Sequence, residues 1–351
     1  MSSDTFRAAV SRPSLGAVVV TLAVAAAQLL FVGWLVTPEF VAANPPGDLM
    51  ADPRDHDALV THAAQTLRLG DVGELSVTLI GNSAFRESFS SAEDIAKALS
   101  KEIGRPVAVH DLTAGGVRVW DVGTLSDSVP VGYRGVVVMS TSAVADPALI
   151  RERHELPRFA IASDAFDDES RRAGLPPRPR TGIYVADFSG FFLPRASSML
   201  RARLTAPVEP LRHMYLGRTM GAEYRKVMKT MLLARAHDYP KFRAEHYAAV
   251  GRNVDRLEGS KVVLIQPPLN RSVVEPVYGA TLLEQMARDR EELAREMGIE
   301  FWSLDDEAAL ADTDFFDYCH LNNHDAMVRY TRVLVEGLAR VLNEVAEAHR
   351  G

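Results

Sequence analysis

The sequence predicts an α/β fold in which a five-stranded parallel sheet lies between two layers of helices, as a three-layer α/β/α sandwich. Five short runs rich in Val and Ile are almost continuously apolar, which is typical of parallel strands covered on both faces. Helical patterns alternate with these runs along the chain. The predicted strands are Leu75–Ile80, Pro106–His110, Gly135–Ser140, Lys261–Gln266 and Ile299–Leu304.

Helices are predicted between and after these strands. One begins near Ser90 or Ser91, either of which suits the N-cap position because its hydroxyl can accept a free backbone N–H. Residues 281–297 form a long amphipathic pattern, and residues 321–349 supply the last helix. Strand, helix and strand in succession indicate crossover connections within one sheet.

The N-terminal region carries a stretch without charged residues, from Pro13 to Pro38, in which Val, Ala and Leu dominate. About 20 apolar residues suffice to cross the hydrocarbon core of a bilayer as a helix. We therefore expect a transmembrane anchor at 14–36, preceded by a cytoplasmic tail at 1–13 and followed by a proline-containing linker at 37–56.

The orientation of this anchor follows from the flanking charges. Arg7 and Arg12 precede the apolar stretch, whereas Glu39 and Asp48 follow it, so the positive-inside rule places the N-terminus in the cytoplasm and the rest outside. A cleaved signal peptide is the alternative, but the apolar run continues beyond the small residues at 25–27, where cleavage would end it.

The remaining region, 57–351, is expected to be one domain with a helical insertion at about 151–260. Helical patterns in the insertion run from 211 to 237 and from 241 to 257. The insertion has 20 Lys and Arg against 13 Asp and Glu, so it carries +7 while the rest of the chain carries −14. Either its arginines pair internally or are merely solvated, or they face anionic lipid headgroups or an acidic polymer.

Overall charge and cysteine content exclude several classes of protein. The net charge of −7 argues against a general nucleic-acid binder. The single cysteine, Cys319, permits no internal disulfide. No group of three or four suitably spaced ligands predicts a metal site, and no cofactor motif is present, so none is expected.

Ser83 is the candidate nucleophile. It follows the first predicted strand in the sequence Gly81-Asn82-Ser83, which places it at the carboxyl edge of the sheet, where α/β proteins form their ligand sites. Gly81 allows a tight turn, and the start of the next segment offers amides to an oxyanion. A strand that simply ends at Gly and Ser is the competing interpretation.

His320 and Asp317 are the candidate base and acid. A serine hydroxyl needs a base to remove its proton, and histidine needs an acceptor that fixes its tautomer. Asp317 precedes His320 by three residues in a polar stretch before the last helix, so a turn can join the two side chains. His324 is a weaker alternative base, because it has no acid at this spacing.

Together, Gly81-Asn82-Ser83 after the first strand and Asp317-x-x-His320 before the last helix resemble the SGNH hydrolase family, also called GDSL-type. The resemblance covers roughly residues 75–342 apart from the insertion, with Asn82 where the family more often has Asp. It implies an SGNH hydrolase-like fold and a Ser83, His320 and Asp317 triad.

The resemblance also implies an oxyanion hole formed by the amides of Ser83 and Gly116, with Gly115 as the alternative to Gly116. The family's third block normally supplies an asparagine, but this chain has Ser140-Thr141-Ser142 there. Either Ser142 or Thr141 replaces the missing donor, or the oxyanion hole relies on the amides of Ser83 and Gly116 alone. Loss of one such donor typically costs about 2.7–4 kcal/mol of transition-state stabilisation.

The anchor and the resemblance together predict an extracytoplasmic serine esterase or O-acyltransferase, acting on an acyl ester or a cell-envelope or secreted glycan. Anchored proteins of similar architecture work with multispanning membrane acyltransferases in polysaccharide acetylation, so such a partner is expected. A general carboxylesterase or lipase is one alternative. A non-catalytic, membrane-tethered glycan-binding or assembly protein is the other.

Overall fold

The computed structural model describes residues 14–21, 23, 36–70, 75–141, 157–172, 174–176, 178 and 180–348. Its centre is a five-stranded, fully parallel sheet in the order β2-β1-β3-β4-β5. The strands are β1 (Ser76–Gly81), β2 (Ala108–Thr113), β3 (Val136–Ser140), β4 (Lys261–Gln266) and β5 (Glu300–Ser303). This is the doubly wound order of flavodoxin-like folds, and its direction reverses between β1 and β3.

From residue 36 onward, the described part of the chain contains thirteen α-helices. They are α1 (Pro38–Ala43), α2 (His56–Leu69), α3 (Ser83–Arg86), α4 (Ala92–Ile103), α5 (Val119–Ser126), α6 (Asp164–Arg172), α7 (Tyr184–Asp187), α8 (Ser189–Phe192), α9 (Ala196–Leu204), α10 (Ala222–Asp255), α11 (Arg271–Tyr278), α12 (Ala280–Glu296) and α13 (His324–Ala348).

Both faces of the sheet are covered, which makes three layers. One face packs against α4 and α13 through alternate strand residues such as Val77, Leu79 and Val138. The other face packs against α2, α5, α12 and the end of α10. Every residue of β1 and β3 is buried, as expected for central parallel strands, and this explains why both sequences are mainly apolar.

The second strand differs most from its predicted bounds. It runs to Thr113 instead of ending at His110, because its ladder with β1 continues until Gly81 pairs with Thr113. β2 lies at the edge of the sheet, where its first four residues are only half-buried. Polar residues such as Asp111 are therefore tolerated in it, and hydrophobicity alone ends the strand too early.

Helix α4 and the last helix, α13, begin with side-chain caps. The Ser91 hydroxyl accepts the Asp94 N–H at 2.8 Å, which selects Ser91 over Ser90 as the N-cap of α4. At the start of α13, Asn323 accepts the Ala326 N–H at 2.8 Å. The Asn323 cap therefore fixes the position at which the preceding loop ends and α13 begins.

The segment at 37–56, predicted to be a linker, is folded against the rest of the protein. It contains α1, a short 3-10 helix at Pro46–Asp48 and the start of α2. Val41, Leu49 and Met50 are fully buried in a cluster with Phe191 and other residues of the insertion. Apolar side chains between the prolines explain why this segment packs instead of extending.

Within the described ranges, no helix is both long enough and apolar enough to cross a bilayer. The predicted anchor at 14–36 and the tail at 1–13 lie largely outside those ranges, since only residues 14–21, 23 and 36 of them are described.

The insertion is helical, but its helices differ from the predicted ones. The predicted break near residue 240 is absent, because Pro240 lies inside α10, a single helix of 34 residues. The predicted start at 211 is also wrong. Residues 211–221 are not helical, since several of their backbone groups bond to distant parts of the chain, as Gly217 N–H does to the Asn322 carbonyl.

Arginines of the insertion pair with carboxylates of the body. Arg158 contacts Asp57 at 2.7 Å, and Arg195 contacts Asp55 at 2.5 Å. Arg256 contacts Asp127 at 3.0 Å. These pairs favour the interpretation in which the excess positive charge of the insertion balances the acidic body.

Candidate active site

Ser83 lies at the carboxyl edge of the sheet, as the first residue of α3 and directly beyond β1. Asn82 is the N-cap of this helix, and its Oδ1 atom accepts the N–H groups of Ala84 at 3.1 Å and Phe85 at 3.3 Å. An amide oxygen performs this capping as well as a carboxylate does, so Asn in place of the family's Asp keeps the local geometry. The cap therefore engages the Ala84 and Phe85 amides, which are among those expected from the sequence to face an oxyanion.

Gly81 is required by close packing beneath the serine. A Cβ atom at this position would collide with the Ser140 Oγ atom and lie 2.9 Å from its Cβ atom. It would also lie 3.0 Å from the Phe85 ring. Glycine therefore lets the end of β1 approach the end of β3, which brings the Ser83 turn into the sheet edge.

His320 meets Ser83 at this edge. The Nε2 atom of His320 lies 3.0 Å from the Ser83 Oγ atom, although 237 residues separate them along the chain. The Nδ1 atom lies 2.9 Å and 2.8 Å from the two carboxylate oxygens of Asp317. A carboxylate can only accept, so Nδ1 carries the proton and Nε2 is left to accept the serine hydroxyl.

The backbone around Asp317 holds this pair in place. Its Oδ1 atom also accepts the N–H groups of Cys319 and His320, both at 2.9 Å. The loop closes where the Phe316 N–H donates to the His320 carbonyl at 2.7 Å. Asp317 is fully buried and His320 is only 8% exposed, whereas Ser83 is half-buried and accessible. The serine is thus open to a substrate while its partners are shielded.

Burial and nearby groups act in opposite directions on His320. Burial alone would lower its pKa, but the adjacent Cys319 sulfur and the Asp317 carboxylate outweigh it and raise the pKa of His320 above its ordinary value of 6.5. Burial also raises the pKa of the Cys319 thiol. The imidazole consequently binds its second proton more tightly than a free histidine does.

The candidate oxyanion donors lie in the turn after β2. Gly116 has a φ of +65°, a left-handed conformation that favours glycine. Gly115 is nearer the serine, because a Cβ atom built on it would lie 4.0 Å from the Ser83 Cβ atom. The structure therefore brings this turn beside Ser83 and keeps both glycines as candidates.

Thr141 and Ser142 are the residues expected to supply the third oxyanion donor. Thr141 is buried, and both its N–H group, at 2.9 Å, and its hydroxyl, at 3.4 Å, donate to the Ile265 carbonyl, so it is unsuited to bind an oxyanion. Ser142 lies outside the described residues.

A pocket of about 450 Å³ adjoins this turn. Its lining combines four charged side chains with three glycines and a proline: Asp57, Gly115, Gly116, Arg118, Pro157, Arg158, Gly190 and Arg195. Arg158 donates to the Gly115 carbonyl at 2.5 Å and to Asp57, which connects the turn beside the nucleophile to the pocket wall.

His324 does not reach the serine site. It is exposed at the start of α13 and lines a separate groove with α4 residues such as Asp94 and Lys101. Cys319, His320 and Asp317 form the one group in the described part of the chain whose atoms lie close enough to hold a metal, but these ligands already bond to one another.

Sequence reasoning missed two residues near the site. The Tyr215 ring, from the insertion, lies over the His320 imidazole with ring centroids 4.3 Å apart. Glu87 lies one turn after Ser83 and is fully buried. Nothing in the sequence places Tyr215 near His320. Glu87 carries a weak signal, because a charged residue shortly after the apolar Ala84 and Phe85 and one turn beyond Ser83 is a candidate for a buried carboxylate.

Searches against known proteins give structural neighbours only. No protein-family model matches the sequence, and no curated protein matches it. Among solved structures, the lipase/acylhydrolase from Enterococcus faecalis is similar, with 11% identity, a TM-score of 0.35, and coverage of 77% of this chain and 94% of that one.

Two further structures are similar at the same level. Est24, a carbohydrate acetylesterase from Sinorhizobium meliloti, has 11% identity and a TM-score of 0.34, with 76% of this chain and 100% of that chain covered. The aryl esterase of M. smegmatis has 13% identity and a TM-score of 0.30, with 76% and 99% covered. A function for this chain therefore has to be argued from its own residues.

Proposed function

We propose that this protein is a serine esterase or O-acyltransferase of the SGNH type, with Ser83, His320 and Asp317 as its catalytic triad. The observation that carries the proposal is the unbroken chain of contacts from the Ser83 hydroxyl through His320 to the Asp317 carboxylate. Each residue lies at the distance and in the order that nucleophilic catalysis requires.

In the first half of the reaction, the Ser83 Oγ atom attacks the acyl carbonyl carbon while His320 Nε2 takes the hydroxyl proton. The oxyanion is stabilised by the Ser83 amide together with Gly116 or Gly115. The C–O bond of the ester then breaks, and the leaving alkoxide takes the proton from His320, which leaves an acyl group on Ser83.

In the second half, water or a sugar hydroxyl attacks the acyl-enzyme and gives its proton to His320. The bond to Oγ breaks, and Ser83 regains that proton. Water completes hydrolysis, whereas the sugar completes transfer. The buried Asp317 stabilises the imidazolium in both halves.

We further propose that the substrate is an extracytoplasmic glycan ester. The charged and backbone groups of the pocket at the Gly115-Gly116 turn suit a hydroxyl-rich molecule better than a long acyl chain. The uncharged stretch at 14–36 would anchor the protein with its N-terminus in the cytoplasm and the site outside, within reach of a multispanning acyltransferase. Protease treatment of intact cells should then digest the domain.

The experiment for the triad uses an aryl acetate and a serine-directed phosphonate. Wild-type protein should turn over the ester and gain one phosphonyl adduct on Ser83. Ser83→Ala and His320→Ala should abolish both, with the fold intact by circular dichroism. His324→Ala and exposed Ser197→Ala are the matched controls and should remain active. Undiminished turnover in Ser83→Ala would reject the proposal.

The second candidate function is a non-catalytic, membrane-tethered glycan-binding protein on the same scaffold. It is favoured by one observation, namely that Thr141, which occupies part of the family's asparagine block, donates to Ile265 and not toward Ser83. Wild-type protein that neither turns over the ester nor reacts with the phosphonate, yet binds an acetylated glycan, would support this function instead.

A further inference from the structure

A strap formed by residues 211–218 of the insertion crosses the candidate active site. On one side it bonds to the segment that follows the nucleophile. The Met214 N–H donates to both oxygens of the Glu87 carboxylate, at 3.2 and 3.1 Å. Arg212 Nε and His213 Nε2 donate to the Ser90 carbonyl, at 2.6 and 3.0 Å. The strap is thereby fixed to the region of α3.

On its other side, the strap bonds to the loop that carries the base. Tyr215 lies over His320 at 4.3 Å between ring centroids and stacks on Phe316 at 4.8 Å with an interplanar angle of 24°. The Gly217 N–H donates to the Asn322 carbonyl at 2.7 Å. Two chain segments that are remote in sequence are thus joined through one short stretch of the insertion.

Glu87 is the centre of the attachment near Ser83. Its N–H donates to the Ser83 carbonyl at 2.9 Å, so it lies one turn beyond the nucleophile. Its carboxylate is fully buried, pairs with Arg86 at 2.6 Å and lies 3.4 Å from His213. Burial opposes its charge, but the nearby His213 ring, the Arg86 guanidinium and the Met214 N–H outweigh this and lower the pKa of Glu87. It remains an ionised acceptor for the strap.

A purely structural ion pair would explain the contact between Arg86 and Glu87, which are both buried. It would not explain why both carboxylate oxygens also accept the amide next to Tyr215. An ionised acceptor makes hydrogen bonds about twice as strong as a neutral one, so this amide is held firmly. The position of the Tyr215 ring therefore depends on the Glu87 charge.

We infer that Glu87 is a positioning residue that acts through the strap: it holds Tyr215 over His320, and the ring keeps the imidazole directed at Ser83. This inference rests on the proposed esterase function. A ring packed against one face of His320 removes orientations of the imidazole that point away from the serine. Restricting a catalytic group to its reactive geometry raises the rate without requiring any new contact to substrate.

The test is a double-mutant cycle with turnover of an aryl acetate as the readout. Glu87→Gln and Tyr215→Ala should each lower kcat about tenfold, with KM within about twofold of wild type. The combined variant should be no slower than Tyr215→Ala alone, because both changes release the same ring. Tyr215→Phe should retain the wild-type kcat, because it keeps the aromatic ring that packs on His320. Glu336→Gln, an exposed glutamate on α13, is the control and should change nothing.

Each outcome decides one claim. Effects of Glu87→Gln and Tyr215→Ala that multiply would show that Glu87 does not act through Tyr215, and would overturn the inference while the esterase function stands. A Tyr215→Phe variant as slow as Tyr215→Ala would also overturn it. If Glu87→Gln does not fold, Glu87→Asp replaces it, because it keeps the charge but withdraws it by one methylene. A folded wild type without turnover would overturn the proposed function, and the inference with it.

Discussion

Asp317 binds the Nδ1 atom of His320 with both carboxylate oxygens, at 2.9 and 2.8 Å, while the same side chain accepts two backbone N–H groups of its own loop. One buried carboxylate therefore shapes the loop and also orients the base. These two roles can be separated by substitution, because an amide oxygen can replace the carboxylate toward backbone N–H groups but an amide NH₂ cannot accept from Nδ1.

Asp317→Asn should lower kcat/KM by about 10³- to 10⁴-fold, because the imidazole would adopt the wrong tautomer. The thermal unfolding midpoint should change far less. Steady-state kinetics with an aryl acetate and thermal unfolding by circular dichroism measure both. Asp325→Asn, at an exposed position in the first turn of α13, is the control. An Asp317→Asn variant within tenfold of wild type would show that Asp317 does not orient the base.

The pH dependence of activity follows from the raised pKa of His320. Only the neutral imidazole accepts the Ser83 proton, and a raised pKa means that the neutral form appears at higher pH. We therefore expect kcat/KM to rise with pH and the midpoint of its acid limb to lie above 6.5. A profile of initial rates between pH 5 and about 10 tests this, and a midpoint below 6.5 would contradict it.

The raised pKa of His320 also affects stability. Activity should rise with pH, whereas the contribution of His320 to stability should fall with pH. The pKa of His320 is higher in the folded than in the unfolded protein, so protonation stabilises the fold. This contribution is complete below the unfolded pKa near 6.5 and is lost as pH rises through the folded pKa. His320→Gln should therefore lower the free energy of unfolding more at pH 6 than at a pH of about 10. Urea unfolding of wild type and variant at the two pH values measures this difference.

Gly81→Ala should destabilise the protein by about 1–3 kcal/mol, because its methyl group would collide with Ser140 at the sheet edge. Esterase activity should fall as well, since the Ser83 turn must shift. Gly251→Ala, within α10, is the control. Its methyl group would meet only the Met297 Cε atom, at 4.0 Å, which is an ordinary van der Waals contact. That change should stabilise the helix by about 0.5–1 kcal/mol. Urea unfolding of both variants makes the comparison.

Asn82 offers a test of the departure from the family's motif. Asn82→Asp should preserve both stability and activity, because a carboxylate oxygen can accept the Ala84 and Phe85 N–H groups equally well. Asn82→Ala should cost about 1 kcal/mol of stability through loss of the cap. If Asn82→Asp were as damaging as Asn82→Ala, the side-chain amide would have to donate a bond that the cap alone does not explain.

Much of the fold could be predicted from the sequence because its determinants are local. Five apolar runs correspond to the five strands, and central strands such as β3 are the ones whose whole length is buried. Ser83, His320 and Asp317 could be chosen together because each stands beside a strand end or a helix start. The sheet order then places those boundaries at one edge.

The strap could not be predicted, because its conformation depends on tertiary contacts. Leu211 to Gly221 has a helical pattern of apolar residues, yet the backbone bonds instead to distant groups such as Glu87 and Asn322. Tertiary hydrogen bonds of this kind override local propensity. The position of Tyr215 over His320 has the same origin, since neither residue is near the other in sequence.

The sequence separation of 237 positions between Ser83 and His320 also bears on when activity can first arise. A chain that is still being synthesised presents the serine long before the loop ahead of α13 has emerged. Until that loop docks, the hydroxyl has no base and stays unreactive. A polypeptide shortened before residue 320 would be inert in the same way, so the proposed ester chemistry would begin only with a finished and folded molecule.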